Sequence, residues 1–297
     1  MFRSTRWMLT ATIALAGAAV SAQQQDFSKV EIKTTKVAGN VYMLEGSGGN
    51  IGVSAGPDGL LIVDDQFAPL ADKIKAALTA IDKGDLKFVL NTHWHFDHTG
   101  GNEIFGLESL IVAHDNVYKR LSTKQTIMGR DVPPLKASGL PVITFGQTLS
   151  IHFNGEEIKA THAPNGHTDG DSIIHFTTSK VVHTGDDFVN GGFPFIDIGA
   201  GGSVVGVAKN AERMLKEYSA DTKFIPGHGP LASRADLEKY LAMLNASIKT
   251  VQAGIDGGKS LEDMQKAGIG DEWKSWGSGF INTPTWVQFV HESLKKK

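Results

Sequence analysis

Four side chains able to ligate a metal, His93, His95, Asp97 and His98, fall within six residues of the run Asn91-Thr92-His93-Trp94-His95-Phe96-Asp97-His98-Thr99-Gly100-Gly101. Imidazole nitrogens and carboxylate oxygens are what a divalent transition cation takes from a chain without cysteine, and this chain has none. The apolar Phe88-Val89-Leu90 before the run reads as a buried strand leaving a core. On a strand end, alternate side chains share a side, so His93, His95 and Asp97 are expected to converge. His98 would then turn away from Asp97 toward a second cation.

A pair of cations needs further ligands, and three other motifs offer them. Asn165-Gly166-His167-Thr168-Asp169-Gly170-Asp171 places a histidine in a glycine-rich turn before a strand. Val181-Val182-His183-Thr184-Gly185-Asp186-Asp187 ends a strand on two carboxylates, and Phe224-Ile225-Pro226-Gly227-His228-Gly229 ends one on a histidine between glycines. Each is a weak signal alone, since a histidine on a turn is usually just solvated and Asp186 could cap a helix.

The elements that must position these groups alternate along the chain. Short apolar runs at Val41 to Leu44, Ile51 to Val53 and Leu60 to Val63 are separated by Gly- and Asn-rich turns, and read as strands. Leu70, Ile74, Ala77, Leu78 and Ile81 recur at helical spacing. Later strands are expected at 110–113, 151–153, 158–161, 172–176 and 180–183, and helices at 203–217 and 234–250, with further helical pieces after Val251. Many hairpin-length strands with helices between them predict two packed sheets with helices outside. The segment Thr123 to Pro141, with Gly129, Pro133, Pro134 and Gly139, reads as an irregular insertion, a lid or surface decoration.

Taken in order, HxHxDH, GH[ST], a strand ending in GD, and PGHG, the chain resembles the metallo-β-lactamase-fold hydrolases from roughly Asn40 to Pro230. The resemblance implies an α/β fold, an αββα sandwich of two mixed β-sheets with helices on the outer faces. It implies one metal held by His93, His95 and His167, another by Asp97, His98 and His228, and a bridging Asp186. Two divalent cations would sit there: zinc is favoured by export, while oxygen-rich donors also suit iron or manganese. The nucleophile expected is a water shared by both metals, oriented by the catalytic Asp97. The absence of cysteine and of any serine–histidine signature agrees with that choice.

The substrate expected is a small molecule with a cyclic amide, lactone or ester-type carbonyl. One β-lactamase branch uses cysteine where this chain has Asp186 and a substrate-gripping lysine where it has Val189, so both departures argue against a dedicated antibiotic-cleaving enzyme. Acyl lactonases and thioesterases of the fold share the ligand set. A different class, an exported metal-binding protein without catalysis, would be expected to carry a single closed site instead. Pocket walls are expected from 46–50, 124–140 and 188–202, with Phe188, Phe193, Phe195 and Ile196 as an aromatic, apolar wall. His114, His152, His162, His175, His183 and His291 are expected to be structural or solvent-facing. Asp169 and Asp171 should brace their turn, and Trp94 and Phe96 should pack.

The N-terminus carries an address. Arg3 and Arg6 precede a mostly apolar run from Trp7 to Val20, closed by Val20-Ser21-Ala22, which reads as a cleaved signal peptide over residues 1–22. The run is short of the roughly 20 residues needed to span a bilayer. Residues 23–297 would then form one periplasmic or secreted domain with no membrane span. The formal net charge of −3, two units lower without Arg3 and Arg6, leaves Lys295-Lys296-Lys297 as a lone basic tail and excludes nucleic acid as a partner.

Overall fold

The computed structural model describes residues 26–295, so the expected signal segment 1–22 lies outside the described residues. The chain starts with β1 (Lys33–Ala38), β2 (Val41–Glu45), β3 (Ile51–Gly56) and β4 (Gly59–Val63), then helix α1 (Ala71–Ile81) and β5 (Leu86–Leu90). Two single helical turns, α2 (Phe96–Thr99) and α3 (Asn102–Phe105), precede β6 (Leu110–His114) and α4 (Asp115–Leu121). Next come a small hairpin, β7 (Gln125–Ile127) with β8 (Arg130–Val132), and β9 (Ile143–Phe145). The second half holds β10 (Thr148–Phe153), β11 (Glu156–His162), β12 (Ser172–Phe176), β13 (Val181–His183), α5 (Val204–Glu217) and β14 (Lys223–Ile225). Helices α6 (Arg234–Asp256), α7 (Leu261–Ala267) and α8 (Thr283–Lys295) follow.

Two mixed sheets result. One has seven strands in the order β1-β2-β3-β4-β5-β6-β9, antiparallel as far as β4 and parallel beyond it. The other has five, β10-β11-β12-β13-β14, antiparallel except for the β13–β14 pair. Strand alternation sorts their side chains into three apolar layers. Leu61 and Val63 of β4 face the middle of the sandwich with Ile174, Val181 and Ile225 of the other sheet. Leu60 and Ile62 face outward onto Ile74 and Leu78 of α1. Ile173, Val182 and Phe224 turn the other way, onto Val207 of α5, Tyr240 of α6 and Val290 of α8. The αββα sandwich is therefore what this strand and helix pattern builds.

Two segments differ from the sequence expectation. The insertion 123–141 contains the β7–β8 hairpin, and Ile127, Val132, Leu135 and Leu140 pack with Trp94. Three-residue strands are too short to show a period. Helix α6 runs on to Asp256, started by a capping box in which Ser233 and Asp236 satisfy one another's backbone N–H groups.

The ends of β4, β5, β13 and β14 and the start of β12 share one edge of the sandwich, because β4, β5, β13 and β14 run toward it and antiparallel β12 leaves from it. At that edge the backbone N–H of Ser172 donates to the carbonyl of Thr92 at 2.8 Å, stitching the sheets together.

Candidate metal centre

The six-residue cluster does not continue as extended chain. His95 has β-region dihedrals and caps the turn α2, so Phe96 to Thr99 are helical. This overturns the expected alternation: Asp97 does not join His93 and His95, and His98 does not face away from it. Asp97 Oδ2 lies 3.7 Å from His98 Nε2. The ligand atoms gather instead as His93, His95 and His167, as His93, His98 and Asp186, and as Asp97, His98 and His228, each set within 4.8 Å. All seven residues named as ligands in the sequence therefore meet: the first and last sets are the two trios the resemblance implies, and the middle set joins a histidine of each through Asp186.

Asp186 lies between the trios. Its Oδ2 is 3.5 Å from His167 Nε2 and 3.4 Å from His228 Nε2, and its Oδ1 is 3.2 Å from His98 Nε2. Asp187 points the other way, accepting from Asn210 Nδ2 at 2.9 Å. Burial pushes the Asp187 carboxyl up to about 7, and burial together with Asp187 pushes Asp171 up as well. These two share the space beside Gly166, whose missing Cβ would meet oxygens of both. The adjacent aspartates thus divide the work, one facing the histidines and one bracing the turn behind them.

Hydrogen bonds behind the imidazoles fix which nitrogen faces inward. His167 Nδ1 donates to the Phe195 carbonyl at 2.7 Å, and His95 Nε2 pairs with Asp197 Oδ2 at 3.0 Å. Their other nitrogens, left with lone pairs, face each other at 2.7 Å. His98 Nδ1 pairs with Asp64 Oδ2 at 2.8 Å. Thr92 Oγ1 donates to that same oxygen at 2.7 Å, which leaves the hydroxyl to accept from His93 Nδ1 at 3.0 Å. Asp64 therefore orients His98 directly and His93 through Thr92. His93 Nε2 is buried with no hydrogen-bond partner. An orphaned buried nitrogen, two lone pairs in opposition and a carboxylate between trios are what a cation site looks like before its charge is supplied.

Charge divides the trios. Burial, followed by the neighbouring His98, holds the His93 imidazole well below its ordinary range, and burial takes His167 down to about 4 despite Asp186. Burial opposes the charge on His98 and His228 too, but Asp186 and Asp97 outweigh it, lifting His228 to about 10 and His98 upward also. Burial acts to raise Asp97, yet His98 and His228 bring it down to about 2.

Close backbone approach explains the flanking glycines. A Cβ on Gly227 would collide with Asp186 Oδ1, and one on Gly49 with the His98 ring. Asn50 Nδ2 holds the loop around His228, donating to the carbonyls of Pro226 at 2.9 Å and Gly229 at 2.8 Å.

Sequence reasoning missed Asp64, Asp197 and Asn50. Asp64-Asp65 after Leu60-Leu61-Ile62-Val63 is a strand ending in paired carboxylates, the same signal that pointed to Asp186. Two other expectations are corrected. Phe188, Phe193 and Ile196 are no pocket wall but core beneath the helices, and only Phe195 turns to the site, its ring 5.7 Å from His95 and 5.8 Å from His167. Phe96 does not pack inside; it is 50% exposed, whereas Trp94 is buried. His162 is structural, as expected, stacked on His114 at 3.9 Å. Asp171 does brace its turn, accepting from the backbone N–H of Thr168 at 2.7 Å, and Asp169 pairs with Arg120.

Comparison with known proteins agrees with this architecture. Over 206 residues the chain is 27% identical to an atrochrysone carboxyl ACP thioesterase of Aspergillus fumigatus, 68% of this chain and 43% of that protein. It is 28% identical over 141 residues to the lactamase-like protein nscB of Trichophyton rubrum, 48% of this chain and 38% of that protein. The chain thus spans less than half the length of these curated relatives. Among solved structures, a metallo-beta-lactamase from Pontibacter korlensis superposes with a TM-score of 0.60 at 16% identity, over 72% of this chain and 99% of that one. The sec-alkylsulfatase Pisa1 from Pseudomonas sp. superposes at 0.67 and 16%, over 88% and 50%. At such identities these two speak for the fold alone. With the family model for the metallo-beta-lactamase superfamily matching residues 34–228, the chain belongs to that superfamily.

Proposed function

We propose that this protein is an exported hydrolase that holds two divalent cations, zinc ions, and cleaves an ester-type carbonyl, a thioester or a lactone. The observation that carries the reading is the place of Asp186, within 3.5 Å of ligand nitrogens from both trios. His93, His95 and His167 would hold one cation, and Asp97, His98 and His228 the other. Bound there, the pair would supply Lewis acidity and lower the pKa of water from 15.7 toward about 7.

The chain's own groups divide the remaining tasks. His93, His95, His98 and His167 are buried, while Asp97 and His228 keep 24% and 34% of their side chains exposed, so substrate approaches from their side. Asp97, held ionised by His98 and His228, accepts a hydrogen bond from the attacking water and takes one of its protons. The water oxygen joins the acyl carbon, the C–S or C–O bond breaks, and that proton passes to the leaving group. The relatives named for thioesterase activity support the acyl reading. No helix among the described residues is long and apolar enough to cross a membrane.

Hydrolysis of chromogenic thioesters, lactones and a β-lactam, assayed with metal-analysed protein, tests the proposal. Activity on the acyl substrates that EDTA abolishes and zinc restores is the expected result. Protein that takes up zinc yet cleaves none of the panel would refute it.

A further inference from the structure

We infer that Phe96, backed by Phe67 and Phe27, is the surface on which this centre receives its substrate, and that it selects an acyl group with a long apolar or aromatic body. The inference rests on the acyl-hydrolase reading and names the substrate class of that same site. Phe96 is a large aromatic ring left 50% exposed one residue before Asp97. Its ring lies 5.8 Å from that of Phe67, which lies 5.2 Å from that of Phe27, so three rings form one continuous row. Both backing rings are themselves only half-buried.

The row leads to the open side of the centre. The point where a Gly48 side chain would begin is 3.0 Å from the Phe67 ring edge and 3.2 Å from Asp97 Cβ. Asp97 and His228 are the ligands with exposed surface, so a carbonyl arriving at them leaves the rest of its molecule over Phe96. Phe96, Phe67, Phe27 and Gly48 bring no charge to the shelf. An anionic or strongly polar acyl body would gain nothing there, whereas each methylene laid on it leaves water.

The test is a series of thioesters with one leaving group and acyl chains from butanoyl to decanoyl, run beside calorimetric binding of the matching carboxylic acids to the zinc-loaded protein. KM and the acid Kd should each fall about twofold per added methylene, half the effect of full burial. Phe96→Ser should flatten both trends, and Phe96→Leu, which keeps an apolar surface, should restore most of the slope. Unfolding temperature and zinc content of each variant establish that the centre is intact. A flat series in the wild type, or a Phe96→Ser series as steep as the wild type, overturns the inference. Should no thioester, lactone or β-lactam be cleaved, the hydrolase reading fails, and the acid-binding series still decides the role of Phe96.

Discussion

The two trios are built from the same residue types and yet are opposites. His93, His95 and His167 are buried, burial holds His93 and His167 below their ordinary range, and the lone pairs of the three are aimed by Thr92, Asp197 and the Phe195 carbonyl. Asp97, His98 and His228 carry charge, and two of them, Asp97 and His228, are partly open to solvent. An enclosed set of imidazoles would keep a bound cation a strong Lewis acid and fix its position. A charged set with an open side would offset a second dication and leave room for substrate and proton traffic. Under the proposed two-cation reading, tasks that conflict in one site would be separated across a few ångströms.

That contrast can be broken most completely at the shared carboxylate. Asp186→Ala should lower kcat/KM roughly 10³-fold, about 4 kcal/mol of transition-state stabilisation, and reduce the zinc content of both halves by metal analysis. Asp97→Ala should cost about 10²- to 10³-fold in kcat while the first trio keeps its zinc, because Asp97 serves only the open half. Asp64→Ala should weaken zinc binding roughly 10- to 100-fold at both halves, since it orients His98 directly and His93 through Thr92. Asp197→Ala sharpens the distinction: a loss of about tenfold confined to the first half, largely recovered in Asp197→Asn, which keeps an acceptor for His95.

The smallest effect expected is one of pH. Because His98 and His228 are lifted above their ordinary range, the metal-free protein holds their protons at neutral pH. Loading the open half should therefore release about two protons, seen as a dependence of calorimetric heat on buffer ionisation enthalpy. Its affinity should rise with pH up to about 10, the value to which His228 is lifted. The first trio, with His93 and His167 depressed, should load with little proton release.

The seven candidate ligands were legible in the sequence because four short motifs, each weak alone, follow one another in a single order at strand ends. The local geometry was not, since a four-residue turn such as Phe96–Thr99 leaves no periodic trace. The orienting groups were also hidden. Asp64 and Asp197 act on histidines 34 and 102 residues away, a relation that only the folded sheets create. Phe188, Phe193 and Ile196 misled for a related reason: glycine-flanked aromatics read as a loop wall, but the helical layer of α5, α6 and α8 claims them for its core.

The cluster draws its members from both sheets: Asp97 and His98 hang from the end of β5, whereas His167, Asp186 and His228 hang from β12, β13 and β14. Ions bound there would rivet the halves of the molecule together, adding resistance to unfolding that grows with the logarithm of free ion concentration. Loss of those ions would then silence the centre and loosen its frame in one stroke, so that proteases clear molecules that have lost them before intact ones.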